Sequence, residues 1–135
     1  MRVLFWFCDE FGVNPSMKTL EDAPQADPGS WSACVAAFIH VEPQDIVEGS
    51  TAETKLVKNT KWLARKWETR QIVLHSFTHL GEKKAGPAAS KALIDRVHVR
   101  LENAGYTAAQ TPYGYFNDIF MKAPGHPLAR IFKEF

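Results

Sequence analysis

Apolar runs of strand length alternate along this chain with segments that have helical periodicity. Residues 2–8 form one such run, and residues 32–41 are rich in small and β-branched side chains, so both are predicted as strands. The short run at residues 71–75 predicts a third buried strand. Because helical segments separate these runs, the pattern favours an α/β fold, with a mixed β-sheet and helices packed on it.

Two helices are predicted between the strands. The first begins near Ser50, where Glu53 completes the spacing of a capping box. The second begins at Pro87 and ends before Gly105, a residue suited to the position just after a helix. Each helix has one apolar stripe that should face the sheet. The stripe residues are Leu56, Thr60, Leu63 and Trp67 in the first helix and Leu93, Ile94, Val97 and Leu101 in the second.

The remaining segments are predicted as loops, a hairpin and a short terminal helix. Residues 14–30 contain three prolines and are predicted to form a functional or mobile loop. Residues 106–111 and 115–122 flank a Pro-Tyr-Gly turn signal and should pair as a hairpin. Residues 128–135 are predicted to be helical. The predicted order is β-β-α-β-α-β-β, in a single domain over residues 1–135.

Composition narrows the class of protein. The chain has 135 residues, 45% hydrophobic and 23% charged, which is enough for one ordered core. The N-terminal apolar stretch is too short for a secretory signal, and no run is long enough to span a bilayer, so a cytoplasmic protein is expected. Cys8 and Cys34 should accordingly be buried free thiols. A net charge of +1 does not by itself indicate a nucleic-acid binder.

The end of the third strand collects side chains that can do chemistry. Ligands of α/β sheets bind beyond the carboxyl ends of parallel strands, and His75, Ser76 and His79 lie there. Two readings of the histidines stay open. Either His75 packs in the sheet while His79 faces a ligand, or both bind zinc with a third ligand from Cys8, Asp9 or His40. Nucleophile-elbow, phosphate-loop and dinucleotide motifs are absent.

The first predicted helix has a basic face, which contains Lys58, Lys61 and Arg65. One interpretation is a solvated surface over buried tryptophans. The other is a patch that binds nucleic-acid phosphates, which would contribute affinity but little sequence specificity.

Four motifs in a set order resemble a known family. They are MRVLFWF at the start, SFTHL after the third strand, TPYGYF at the predicted turn and GHPLAR near the end. Their order and spacing resemble the N-terminal editing domain of archaeal-type threonyl-tRNA synthetases, most closely over residues 72–130. The resemblance implies a fold like that of D-aminoacyl-tRNA deacylases, a homodimer, and hydrolysis of serine from mischarged threonine tRNA without a metal or other cofactor. Such editing is needed because one methyl group changes binding by only ~1–3 kcal/mol.

The resemblance also assigns roles to individual residues. His79 matches a loop histidine expected to touch the terminal adenosine or the attacking water, and Tyr115 matches an aromatic residue of the pocket. Phe116, Asn117 and Arg130 stand where a tyrosine, a lysine and a glutamate are usual. The predicted catalytic residues are His79, Asn117 and Arg130. The predicted substrate-binding residues are Phe77, Thr78, Tyr115, Phe116 and His126.

Three functions remain open because of these departures. The first is a deacylase of Ser-tRNA(Thr). No synthetase body follows Phe135 in this sequence, so the domain is expected to be either free-standing, acting in trans on charged tRNA, or a fragment of a longer protein. The others are a non-catalytic tRNA-binding module of the same fold and a deacylase for another (D-)aminoacyl-tRNA. In each case tRNA is the expected partner, bound through Lys58, Lys61 and Arg65. A second copy of the chain and a threonyl-tRNA synthetase are further candidate partners. No association with a membrane is expected.

Overall fold

The computed structural model describes residues 1–135 and contains six strands and two α-helices. These elements are β1 (Arg2–Lys18), β2 (Gly29–His40), α1 (Ala52–Lys66), β3 (Gln71–Ser76), α2 (Pro87–Asn103), β4 (Thr107–Gln110), β5 (Tyr115–Lys122) and β6 (Arg130–Glu134). All six strands form one mixed sheet in the order β4-β3-β2-β1-β5, and β6 pairs with the beginning of β1. The predicted fold class, a mixed sheet with helices packed on it, is confirmed.

Both helices pack on one face of the sheet. Alternate strand residues point to this face, among them Phe5, Ile39 and Leu74, and they join a cluster of 19 buried residues that includes Leu56 and Leu93 of the helices. Each buried side chain of this size contributes about 1.5–3 kcal/mol. The predicted helical stripes are therefore confirmed, except that Trp67 lies one residue beyond α1 and is partly buried against the cluster. This layer holds the parallel strands β2, β3 and β4 in place.

The opposite face is covered by the sheet curling over itself. Phe11 of β1 pairs with Trp31 of β2, and a straight strand would separate Trp31 from Phe38 by roughly 23 Å. The rings of Phe11 and Phe38 nevertheless lie 5.9 Å apart. The far half of β1 thus folds back and joins Cys34 and Val73 in a second buried cluster.

The N-terminus is tied into this fold by charge. Met1 is fully buried, and its ammonium nitrogen lies 2.8 Å from Oδ1 of Asp45 and 3.0 Å from Oε1 of Glu42. The two cysteines are free and buried, as predicted, and they lie opposite one another across β1 and β2. Burial raises the pKa of Cys8 to about 12 and that of Cys34 to about 11, so both thiols stay protonated.

Three local predictions are wrong because strand pairing decides these segments. Of the predicted loop over residues 14–30, residues 14–18 instead extend β1, where β5 pairs with them, and residues 29–30 begin β2. The predicted hairpin does not form, since β4 pairs with β3 and β5 pairs with β1 at the other edge of the sheet. Residues 130–134 form β6 rather than a helix: a helix this short is marginal in water, whereas β1 offers unpaired backbone groups.

The ends of the helices also differ in part from prediction. The helix α1 begins at Ala52 with Thr51 as its N-cap, so the capping box predicted at Ser50 is wrong. Glu53 instead accepts hydrogen bonds from two arginines of α2, which are stronger charge-assisted donors than a backbone amide. Gly105 follows α2 with a φ of +91°, as expected of a C-terminal glycine. Neither helix combines the length and hydropathy that a bilayer-spanning helix needs.

Candidate functional site

A pocket of about 500 Å³ lies at the carboxyl end of β3, the edge that the sequence predicts for a site. Its walls come from four segments of the chain, within residues 18–20, 75–79, 84–90 and 112–119. These are the end of β1, the end of β3 with its loop, the start of α2, and the turn that leads into β5. A volume of this size is typical of small-molecule sites.

Six of the predicted catalytic and substrate-binding residues line this pocket. Three of them come from the loop after β3 and three from the start of β5. The two segments meet because the start of β5 pairs with the end of β1, and β1 curls back towards β3. The loop after β3 and the start of β5 are thereby brought to one pocket. The six residues are Phe77, Thr78, His79, Tyr115, Phe116 and Asn117.

Two other predicted site residues lie elsewhere in the chain. The Arg130 guanidinium lies over the ring of Trp6, 5.4 Å from its centroid, and donates to the Pro124 carbonyl at 2.7 Å. The ring of His126 meets Trp67 edge-on at 5.2 Å, beyond the end of α1. Arg130 therefore brings no charge into the pocket of its own chain, and neither Arg130 nor His126 lines it.

His79 is presented to solvent between two phenyl rings. Its ring meets Phe77 edge-on at 4.9 Å and lies nearly parallel to Phe116 at 6.3 Å. His79 is exposed, and its ring nitrogens have no hydrogen-bond partner in the protein. Since Phe116 is itself 52% exposed, the histidine and the phenyl ring form an open aromatic surface at the pocket.

His75 lies in the floor of the pocket and is neutral. It is 5% exposed, and its Nδ1 shares a hydrogen bond of 2.8 Å with the Thr111 hydroxyl. Burial lowers the pKa of His75 from 6.5 to about 4, because the charged ring would lose its hydration. His75 thus behaves as the packed strand residue that the sequence suggested, and it brings no positive charge near pH 7.

Asn117 supports the turn before β5 rather than supplying charge. Its amide nitrogen donates to the Pro112 carbonyl at 3.3 Å, while its amide oxygen is buried without a partner. Tyr113, in the same turn, donates its hydroxyl to the Pro87 carbonyl at 2.8 Å. Burial raises the pKa of Tyr113, against hydrogen bonds from Ser90 and Ser76, so the phenol stays protonated.

The charged residues of the pocket are not marked by any sequence motif. Lys18 and Lys84 line it, and no aspartate or glutamate does. Neither lysine takes part in any of the ion pairs of the structure. The pocket is therefore electropositive. No local signal marks these residues, because Lys18 lay in a predicted loop and Lys84 stands beside another lysine.

Metal-ligating side chains do not gather at the pocket or elsewhere in the structure. No three histidine, cysteine or carboxylate side chains come together as a group that could hold a metal ion. His40, one of the third zinc ligands considered from the sequence, has no free ring nitrogen, because both of its ring nitrogens hydrogen-bond to backbone atoms. The remaining chemistry of the pocket is that of hydrogen-bonding, aromatic and cationic groups.

The basic face of α1 is present as a surface apart from the pocket lining. Lys58 and Arg65 are exposed and Lys61 is half-buried, and none of the three forms an ion pair with the protein. Trp67 belongs to the fold rather than to this face, since its ring stacks on Phe7 at 4.1 Å. The cations of α1 are thus free to bind an anionic partner.

Comparisons with known proteins extend over the whole chain. Residues 1–135 match the family described as "Archaea-specific editing domain of threonyl-tRNA synthetase". The threonine–tRNA ligases of Methanopyrus kandleri and Nanoarchaeum equitans are 25% and 27% identical to 97% of this chain. The chain spans only 21% of the length of each of these ligases.

Two solved structures share the fold at low sequence identity. The c-Myc DNA unwinding element binding protein has a TM-score of 0.68 at 10% identity, covering 99% of this chain and 98% of its own. A probable eukaryotic D-amino acid tRNA deacylase has a TM-score of 0.58 at 12% identity, covering 98% of this chain and 97% of its own. These likenesses confirm the predicted deacylase-like fold.

Proposed function

Because the chain belongs to the family of Archaea-specific editing domains of threonyl-tRNA synthetase, we propose that it hydrolyses the ester of an amino acid wrongly attached to tRNA. Membership in this family confirms the resemblance carried by the four motifs. The proposed substrate is Ser-tRNA(Thr), on which the domain acts in trans. The observation that carries the proposal is the gathering of His79 with Tyr115, Phe116 and Asn117 around one electropositive pocket.

Hydrolysis in this pocket would depend on positioning rather than on a strong base. No carboxylate lines it and His75 is neutral, so the proposed attacking group is a water molecule held near His79. Backbone amides can donate hydrogen bonds to the ester, and Asn117 contributes by holding the turn that carries Tyr115 and Phe116, without adding charge. Lys18 and Lys84 are the cations available to neutralise phosphates at the 3′ end of the RNA.

Contacts outside the pocket would supply the affinity for tRNA that a trans-acting domain needs. We assign this role to Lys58, Lys61 and Arg65, three cations of α1 that form no ion pair with the protein. A homodimer is also expected, and Phe120 and Phe132, 68% and 52% exposed, are apolar side chains that a second copy would cover. Sedimentation velocity would measure this association. A threonyl-tRNA synthetase is a further proposed partner.

The test is release of labelled serine from Ser-tRNA(Thr), with Thr-tRNA(Thr) as the substrate control. His79→Ala should lower turnover by about 100-fold or more, because the residue that positions water or substrate is lost. His98→Ala is the matched control, since His98 lies on α2 outside the pocket and should retain wild-type turnover. Equal turnover of His79→Ala and His98→Ala would remove His79 from the mechanism.

A second candidate function is a tRNA-binding module without catalysis. It is favoured by two of the departures from the family, because Asn117 brings no charge to the pocket and Arg130 lies outside it. Binding of tRNA with no serine release above the buffer rate would identify this function. Release of a D-amino acid, in a panel of D-aminoacyl-tRNAs, would identify instead a deacylase of different specificity.

A further inference from the structure

The loop that carries His79 is tied at both ends to the end of β2. The Phe77 amide donates to the Ile39 carbonyl at 2.8 Å, and the Ala85 amide donates to the Val41 carbonyl at 2.9 Å. These bonds hold the entry and the exit of the loop. The seven residues between them, 78–84, include His79 and Lys84 and need further support if both side chains are to keep their places in the pocket.

Arg2 gives part of that support, since its guanidinium donates to the Leu80 carbonyl at 2.9 Å, and His40, the last residue of β2, gives the rest. His40 is fully buried and does not line the pocket. Its Nδ1 accepts a hydrogen bond from the Leu80 amide at 3.1 Å, and its Nε2 lies 2.7 Å from the Lys83 carbonyl. Because Nδ1 accepts, Nε2 must carry the proton and donate to Lys83. One neutral imidazole thereby braces the loop at two points, one of them adjacent to His79.

We propose that His40 is a positioning residue for the pocket, which holds His79 at the reacting ester by bracing residues 80 and 83 from behind. The catalytic part of this inference rests on the proposed function. The geometry explains why a polar ring occupies a site without exposed surface: both ring nitrogens bond to backbone atoms of the loop, so the buried ring leaves no polar atom without a partner. A displacement of the loop by about 1 Å would lower turnover by about 100-fold without removing any catalytic group.

Three substitutions separate the two hydrogen bonds. His40→Asn places an amide oxygen near the position of Nδ1 and keeps the acceptor for Leu80. His40→Gln places an amide nitrogen near the position of Nε2 and keeps the donor for Lys83. His40→Leu keeps neither bond. Because the Leu80 bond is next to His79, kcat should fall in the order wild type, Asn, Gln, Leu, by about 10- to 100-fold overall, while KM changes little.

The matched control is Thr60→Val, which removes the buried hydrogen bond from the Thr60 hydroxyl to the Leu56 carbonyl inside α1. It should lower stability without changing kcat, when all variants are assayed well below their melting temperatures. A direct readout is amide hydrogen exchange at Leu80, which His40→Leu and His40→Gln should accelerate and His40→Asn should preserve. Imidazole ¹⁵N shifts should show the Nε2–H tautomer in the wild type.

The inference is overturned by unchanged exchange at Leu80 in His40→Leu, or by a His40→Asn variant no more active than His40→Leu. It is overturned equally by a loss of kcat in Thr60→Val as large as that in His40→Leu. If the wild type releases no amino acid from any aminoacyl-tRNA, the proposed function is wrong, and the catalytic role of His40 is then wrong as well. Faster exchange at Leu80 would then identify His40 as a purely structural brace, so the two failures are distinguishable.

Discussion

Removing Lys18 and Lys84 together should weaken tRNA binding and reduce its dependence on salt. Both lysines line the pocket, neither has an anionic partner, and no carboxylate competes for them. Each cation that contacts a phosphate of a single-stranded RNA end contributes about 0.7 to the slope of log affinity against log salt. The double substitution Lys18→Met/Lys84→Met should therefore reduce this slope by about 1.4.

The slope gives a difference that can be measured directly. Raising the salt concentration from about 50 to about 200 mM should weaken wild-type binding about sevenfold more than it weakens binding by the double variant. Fluorescence anisotropy with labelled uncharged tRNA measures both affinities without turnover. Methionine keeps most of the apolar stem of lysine, so the change removes mainly charge.

The control for this experiment is Lys83→Met. Lys83 is exposed and adjacent to Lys84 in the sequence, but its side chain does not line the pocket. This substitution should leave the salt dependence at the wild-type value. A double variant with the same slope as Lys83→Met would refute the argument that the pocket receives the phosphates of the RNA end.

Two further predictions concern stability. Asp45→Asn should lower the free energy of unfolding by about 2 kcal/mol in urea denaturation, because it removes one of the two carboxylates that pair with the buried ammonium of Met1, whereas the exposed Glu48→Gln should have little effect. His75 has a folded-state pKa of about 4, below its unfolded value of 6.5, so the unfolded state binds the proton first and stability should fall as the pH drops from 6.5 towards 4. His75→Phe should reduce that fall by about 3 kcal/mol, and a pH dependence identical to the wild type would contradict the assignment.

Local pattern accounts for the elements whose evidence lies within a few residues. The stripe that includes Leu56 and Leu63 predicts α1, and the positive φ of Gly105 is what its position after α2 predicts. Residues 72–75 are buried on both faces, as a continuous apolar run suggests. Each of these signals is a periodicity or a backbone preference, which the sequence carries by itself.

Which strands pair with one another could not be predicted from local sequence patterns. Residues 130–134 have no strong preference of their own, and they are a strand because β1 binds them across more than a hundred residues of chain. The Pro-Tyr-Gly turn indicates a change of direction correctly but not which strands it joins. Non-local hydrogen bonds outweigh weak local propensity in such segments.

The candidate site, like the fold, was predictable from the sequence in part. The sequence by itself determined the family, through four ordered motifs, and the residues that could carry chemistry, His79 and Asn117 among them. Only the tertiary structure decided which of these residues meet. The curl of β1 brings β5 to the end of β3, leaves Arg130 on Trp6, and adds Lys18 to the pocket. The physical reason is that a pocket is made by the packing of distant segments, whereas a motif records only neighbours along the chain.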